Sequence, residues 1–161
     1  MKPSMGDAGG EADAVDELFR ARWGPSVRLA TALTGDPSVA EELVQEAFLE
    51  VSRRWEEVDN PAGFLRTVLV NRCRNHRRRL GVGRRHQPPP PRLTVEDPDL
   101  DETWQLLAAL PERRRAALVL RYYEDLPIAD IAALLGCRPG AVASLLHRGL
   151  ADLRKVLSDD D

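Results

Sequence analysis

The chain is poor in most of the groups that carry catalysis or hold metals. Only two of its 161 residues are cysteine, Cys73 and Cys137, which leaves no disulfide framework and no zinc pattern. The three histidines, His76, His86 and His147, have no carboxylate or cysteine at ligand or catalytic spacing. A glycine-rich phosphate loop and a nucleophile motif are both missing. No metal, no cofactor and no catalysis by the chain itself are therefore expected. Apolar runs are short: none approaches the roughly 20 residues that cross a bilayer, and residues 1–11 lack the apolar core of an export signal. Membrane insertion is not expected, and a reducing cytoplasm is the plain reading. Lysine is nearly absent, with Lys2 and Lys155 alone among 23 basic residues. A GC-rich genome explains that bias as well as bidentate phosphate recognition does.

The most informative absence is local. Between Pro61 and Val95 there is no Asp or Glu, yet the stretch holds nine arginines, at 66, 72, 74, 77, 78, 79, 84, 85 and 92. Acidic residues gather before it, from Glu41 to Asp59, and after it, from Glu96 to Glu102. The net charge of −3 conceals this segregation. A globally acidic chain with one concentrated basic segment can bind a polyanion there.

Hydrophobic periodicity is helical throughout, and no sustained two-residue alternation suggests a sheet. Residues 1–12 are rich in Gly, Asp and Ala and read as disordered. Val15, Leu18, Phe19, Val27, Ala30 and Leu33 then share an apolar side, with Gly24-Pro25 expected to bend or interrupt the helix. Asp36 reads as an N-cap with Pro37 at the first helical position. Ala40, Leu43, Val44, Ala47, Phe48, Val51 and Trp55 follow the 3.6-residue period. Asp59-Asn60-Pro61 repeats the cap-and-proline start, and Phe64, Leu65, Val68, Leu69 and Cys73 form the next buried stripe. The pattern lapses from Gly81 to Pro98, where Pro88–Pro91 makes a semi-rigid linker. It resumes near Leu100. The expected fold is all-α: two small helical domains, 13–80 and 99–158, joined by a proline-rich linker at 81–98. How the two domains sit relative to each other is left open.

Two segments carry nucleic-acid chemistry. From Ile128 the second domain matches a helix-turn-helix: Ala132 is small where the helices cross, and Gly136 suits a turn needing positive φ. Ile131, Leu135, Cys137, Val142 and Leu145 fall at the mutually buried positions. An ordinary helical hairpin is the competing reading. If the unit reads DNA, the helix from Pro139 enters the major groove, and Arg138, Ser144, His147 and Arg148 reach bases or phosphates. Arg113-Arg114-Arg115 near a helix start would suit phosphate, or else form a solvated face. In the first domain, Arg72, Asn75 and Arg79 share a helix face, and Asn71, Arg74 and Arg78 an adjoining one. Guanidiniums mixed with amides can grip phosphates and read base edges. A solvated helix end is the alternative there.

At the level of whole segments, "GDPSVAEELVQEAFLEVSRRW" followed by "NPAGFLRTVLVNRCRNHRRR" resembles domain two of extracytoplasmic-function sigma factors of the sigma-70 family. "LLAALPERRRAALVLRYYEDLPIADIAALLGCRPGAVASLLHRGLADLRKVL" resembles their domain four, and "LVLRYYEDLP" is similar to the wording of an actinobacterial subgroup. The resemblance covers residues 13 to 157 or so, in the family's order. It implies an alternative sigma factor whose partners are core RNA polymerase, promoter DNA and, as often in the family, an anti-sigma factor. It implies that Glu42, Gln45 and Glu46 bind the clamp helices of the largest polymerase subunit. The loop from Glu56 to Asn60 and the helix from Pro61, with Asn60, Arg66, Asn71, Arg74, Asn75 and Arg78, would capture and unpair the −10 element. Arg113, Arg138, Ser144, His147 and Arg148 would serve the −35 element. A free-standing DNA-binding regulator would leave the Glu42–Glu46 helix without a role, and an enzyme finds no motif.

One departure stands out. Where the family commonly reads "GTVKSRLARAL", this chain reads "GAVASLLHRGL". Ala141, Ala143 and Leu146 stand for a hydroxyl, a lysine and an arginine, unless Leu146 faces a partner protein. Each lost phosphate contact should lower the slope of log affinity against log salt by about 0.9. A salt titration of the second domain on duplex DNA should therefore show weak, shallow dependence. Tight and salt-steep binding would contradict it.

Overall fold

The computed structural model describes residues 8–81 and 105–159, and all its regular elements there are helical. Helix α1 is Ala8–Thr34, α2 is Pro37–Arg53 and α3 is Pro61–Gly81. After a helical turn at 105–108 come α4 (Glu112–Leu118), a π turn (Val119–Tyr123), α5 (Ile128–Leu135) and α6 (Pro139–Asp159).

The helix starts follow their local chemistry. Asp36 is extended at φ −137°, and its carboxylate accepts from Ser38 N at 2.9 Å and Val39 N at 3.4 Å. This satisfies amides that the first helical turn leaves without a partner. Asn60 does the same for α3, its Oδ1 accepting from Gly63 N at 3.1 Å. At the end of α5, Gly136 sits at φ +64°, where a side chain would be strained. The turn there closes through Cys137 N to Ala132 O at 3.0 Å.

Three helices form the first unit. Leu29, Ala30 and Leu33 of α1 pack against Ala40, Val44, Ala47, Phe48 and Val51 of α2 and Leu65, Val68, Leu69 and Cys73 of α3. An aromatic stack of Phe19 on Trp23, with centroids 5.0 Å apart, continues onto Phe48 at 5.1 Å. In the second unit, Ala116–Leu120 pack with Ile131, Ala132, Leu135, Val142 and Leu146. Gly149 lets α6 approach α4 closely: a Cβ there would lie 2.9 Å from Leu118 Cδ1.

Two expectations change. Helix begins at Ala8, so 8–12 are ordered into α1 rather than disordered; residues 1–7 lie outside the described residues. Pro25 does not interrupt α1, which runs through it. Proline deprives one carbonyl of its donor, but Leu29, Ala30 and Leu33 beyond it are almost wholly buried and hold the helix in line. The linker reading at 81–98 falls outside the described residues except for Gly81, which ends α3. The two units are not held apart, because α1 packs on α4 and the π turn, and α3 packs on α5.

Cys73 is fully buried on the apolar stripe of α3, and burial pushes its thiol up to about 12 from the usual 9.0. A thiol that stays protonated is not nucleophilic. Alkylation at pH 8 should thus modify the half-exposed Cys137 first and reach Cys73 only after denaturation. The raised value also means that the folded state is favoured fully below about pH 9, and that this contribution fades as pH climbs towards about 12.

Candidate nucleic-acid interface

Helix α3 divides its residues by direction. With Leu65, Val68, Leu69 and Cys73 turned into the core, the polar residues must occupy what is left of its circumference. Arg72 leans towards α2 and forks between two carboxylates, Nη1 to Glu46 Oε2 at 2.9 Å and Nη2 to Glu50 Oε2 at 2.8 Å. It is therefore a strut between helices, and Glu46 is tied into it. Glu42 and Gln45 remain exposed on α2 with no partner among the described residues.

The other side of α3 carries Asn71, Arg74 and Arg78, and it looks onto the second unit. Asn60, Phe64, Arg66 and Asn71 line a recess of about 410 Å³ whose far wall is Leu126, Asp130, Ala133 and Leu134. Arg74, Arg77 and Arg78 line a second recess, of about 240 Å³, with Glu112 and Arg113. Phe64 is held from outside by Arg54, whose guanidinium carbon lies 5.0 Å from the ring centre. Asn75 is exposed on the same helix.

Several of these arginines already have partners. Arg66 Nε donates to Glu124 Oε2 at 2.8 Å, and Arg22 Nη2 reaches the same oxygen at 3.1 Å. Arg74 Nη1 donates to Leu134 O at 2.9 Å, near the end of α5. Arg77 bonds Thr34 O at 3.2 Å and pairs with Glu112. None of Glu124, Arg22 or Glu112 stood out in the sequence. Glu124 sits in "YYED", where it looks like one more solvated acid. Only the π turn, closed by Glu124 N to Val119 O at 3.0 Å, brings it inward.

The arginine triplet does not act as one phosphate site. Arg115 is only 8% exposed and donates to Ala32 O at 2.8 Å across the boundary between units. Burial lowers its pKa from the usual range, Glu112 opposes that, and Arg77 adds to it. Arg114 pairs with Asp152 of α6 at 2.6 Å. Arg113 alone is exposed, and it lies with the arginines of α3 rather than with the helix-turn-helix.

On the helix-turn-helix, Arg138, Ser144, His147 and Arg148 are all exposed, the last three on one side of α6. Ala141 and Ala143 are exposed among them. Leu146 is buried at 8%, so it faces neither DNA nor a partner. Counting along the two stretches places Leu145, which is half-buried, at the position of the missing arginine.

No three His, Cys, Asp or Glu side chains among the described residues come together to hold a metal. No single described helix is long and apolar enough to cross a membrane.

Comparison with known proteins agrees with this geometry. The family description "Sigma-70 region 2" matches residues 18–82, and "Sigma-70, region 4" matches residues 100–153. The chain is 32% identical over 160 residues to an RNA polymerase sigma-E factor of Streptomyces coelicolor, covering 92% of this chain and 88% of the relative. It is 32% identical to the RNA polymerase sigma factor CarQ of Myxococcus xanthus, covering 93% and 92%. Among solved structures, the sigma factor RpoE from Bartonella quintana, in complex with the anti-sigma factor NepR, superposes with a TM-score of 0.69. It is 24% identical, with 92% of this chain and 99% of that one covered. CnrH, in complex with the cytosolic domain of CnrY, superposes at 0.64 with 20% identity, covering 96% and 94%.

The placement of Arg72 separates two kinds of arginine on α3. Arg72→Met should leave binding of the full chain to single-stranded DNA unchanged. Its cost in stability should be at most about 1 kcal/mol, since the pair is partly screened by solvent. Arg78→Ala should weaken the same binding, read by fluorescence anisotropy. Equal losses from both would show that the strut reading of Arg72 is wrong.

Proposed function

Since this chain belongs to the sigma-70 family, as an extracytoplasmic-function sigma factor directing transcription initiation, we propose that α2 holds the polymerase while α3 and α6 hold the promoter. The observation that carries this division is the opposed use of α2 and α3. They share one core, yet Glu42 and Gln45 stand free on α2 while the amides and guanidiniums of α3 gather on a separate side. One rigid three-helix body can thus touch two large partners without either displacing the other.

Glu42, Gln45 and Glu46 dock on the clamp helices of the largest polymerase subunit, with Arg72 fixing the direction of Glu46. Asn60, Arg66, Asn71, Arg74, Asn75 and Arg78 take the −10 element. Capturing an unpaired base with stacking and phosphate contacts offsets the pairing lost on melting, and Phe64 beside Asn60 supplies the aromatic surface. Arg138, Ser144, His147 and Arg148 on α6 read the −35 element, with Arg113 contributing to phosphate further off. Ala141 and Ala143 remove two contacts from that surface, which shifts dependence onto domain two. The chain supplies recognition and melting, acts in the cytoplasm, and leaves catalysis to the polymerase. An anti-sigma factor is a further partner, supported by the complex in which the Bartonella RpoE was solved.

The test mixes the full chain with core RNA polymerase and a genomic fragment library, reading association and selective promoter opening. Wild type should associate and open a defined promoter set. The combined variant Glu42→Ala, Gln45→Ala, Glu46→Ala should lose association while retaining its helical circular dichroism. Specific duplex binding without any association would favour a free-standing regulator instead.

A further inference from the structure

We propose that the chain carries a small-molecule site for a diphosphate group, free or borne on a nucleotide, in the recess lined by Arg74, Arg77, Arg78 and Arg113. The site stands on geometry alone. Its consequence for DNA rests on the assignment of Arg74 and Arg78 to the −10 element.

Helix α3 supplies three of the guanidiniums within little more than one turn, and Arg113 of α4 adds the fourth. Among the lining residues the sole acid is Glu112, which Arg77 already engages. Four guanidiniums against one carboxylate leave three positive charges uncompensated in the recess. The four differ in how far they are committed. Arg77 is held by Glu112 and by Thr34 O at 3.2 Å. Arg74 commits Nη1 alone, to Leu134 O at 2.9 Å. Gly136 leaves room for it, since a Cβ there would lie 2.7 Å from Arg74 Nη2. Arg78 and Arg113 are exposed and have no partner among the described residues. Beneath them lie Leu33, Cys73, Ala116 and Leu135, all buried. Apolar side chains offer the guanidiniums no competing acceptor, and a poorly polarisable lining strengthens attraction to an anion.

Size and charge narrow the ligand. The recess measures about 240 Å³, short of the roughly 300 Å³ at which pockets for whole drug-sized molecules begin. It therefore takes the charged end of a ligand. Guanidiniums fork onto phosphate oxygens through paired N–H donors. A monophosphate brings at most about two negative charges near neutral pH. A diphosphate brings about three, with more acceptor oxygens to share among separate arginines. Bound there, it competes with a nucleic-acid strand, because Arg74 and Arg78 cannot serve both at once.

The experiment titrates the full chain with inorganic pyrophosphate, orthophosphate and ADP by isothermal calorimetry, without divalent cations. Pyrophosphate and ADP should bind saturably, and orthophosphate about tenfold more weakly or worse. ADP tighter than pyrophosphate would identify a nucleotide as the carrier, and the reverse order the free ion. Two substitutions should act with opposite sign. Arg113→Ala should weaken pyrophosphate binding about tenfold. Glu112→Gln removes the competing carboxylate and should tighten it roughly threefold. Arg79→Ala deletes the same charge from α3 outside the recess and should leave the affinity unchanged. Absence of saturable binding would overturn the site. So would orthophosphate binding as tightly as pyrophosphate, or equal losses from Arg79→Ala and Arg113→Ala. Should Glu112→Gln loosen the fold, the exposed Arg113 decides alone. Saturating pyrophosphate should also displace a labelled single strand from the full chain, and a ternary complex would overturn the competition. A chain that binds no strand at all fails the −10 assignment, while calorimetry still decides the site.

Discussion

A helix that carries arginines but no carboxylate cannot settle its charge within itself, and this constraint organises the molecule. Helix α3 buries Leu65, Val68, Leu69 and Cys73 on one side, so its guanidiniums are confined to the rest of the circumference. Arg66, Arg72, Arg74 and Arg77 then take partners from other elements. Arg72 takes Glu46 and Glu50 from α2, which stiffens the three-helix body. Arg66 and Arg77 take Glu124 and Glu112 from the second unit, which joins the two bodies.

The joint is strong in geometry and modest in net energy. Buried ion pairs lose much of their attraction to desolvation, whereas removing one partner alone leaves a charge stranded. Arg115 illustrates the balance. Its guanidinium is buried against carbonyls of both units, Ala32 and Ala108, and burial pulls its pKa down. Such contacts specify how the units meet without welding them together.

Local chemistry made much of the fold legible. Asp36-Pro37 and Asn60-Pro61 cap α2 and α3, and Gly136 makes the turn between α5 and α6. Each of those signals is satisfied within a few residues. What could not be read depends on partners about 60 to 100 residues away. Glu124 lies 102 positions from Arg22, and Arg115 lies 83 from Ala32, so periodicity gave no hint that either would be buried. Pro25 misled for the same reason: its local penalty is real, but burial of α1 between α2 and α3 outweighs it. The candidate residues on α3 and α6 are exposed or half-buried. That Arg66, Asn71 and Arg74 face α5 and the segment before it has no signal in the local pattern.

The helix from Pro139 departs from the family's common wording at two exposed positions, Ala141 and Ala143, where a hydroxyl and a lysine are usual. A methyl side chain can neither donate a hydrogen bond nor release a counterion. Any grip of this helix on a polyanion therefore rests on the exposed Arg138, Ser144, His147 and Arg148. The basic character that the sequence concentrates on α3 is correspondingly thin on α6, so the two halves of the chain are unequal in what they offer a phosphate backbone.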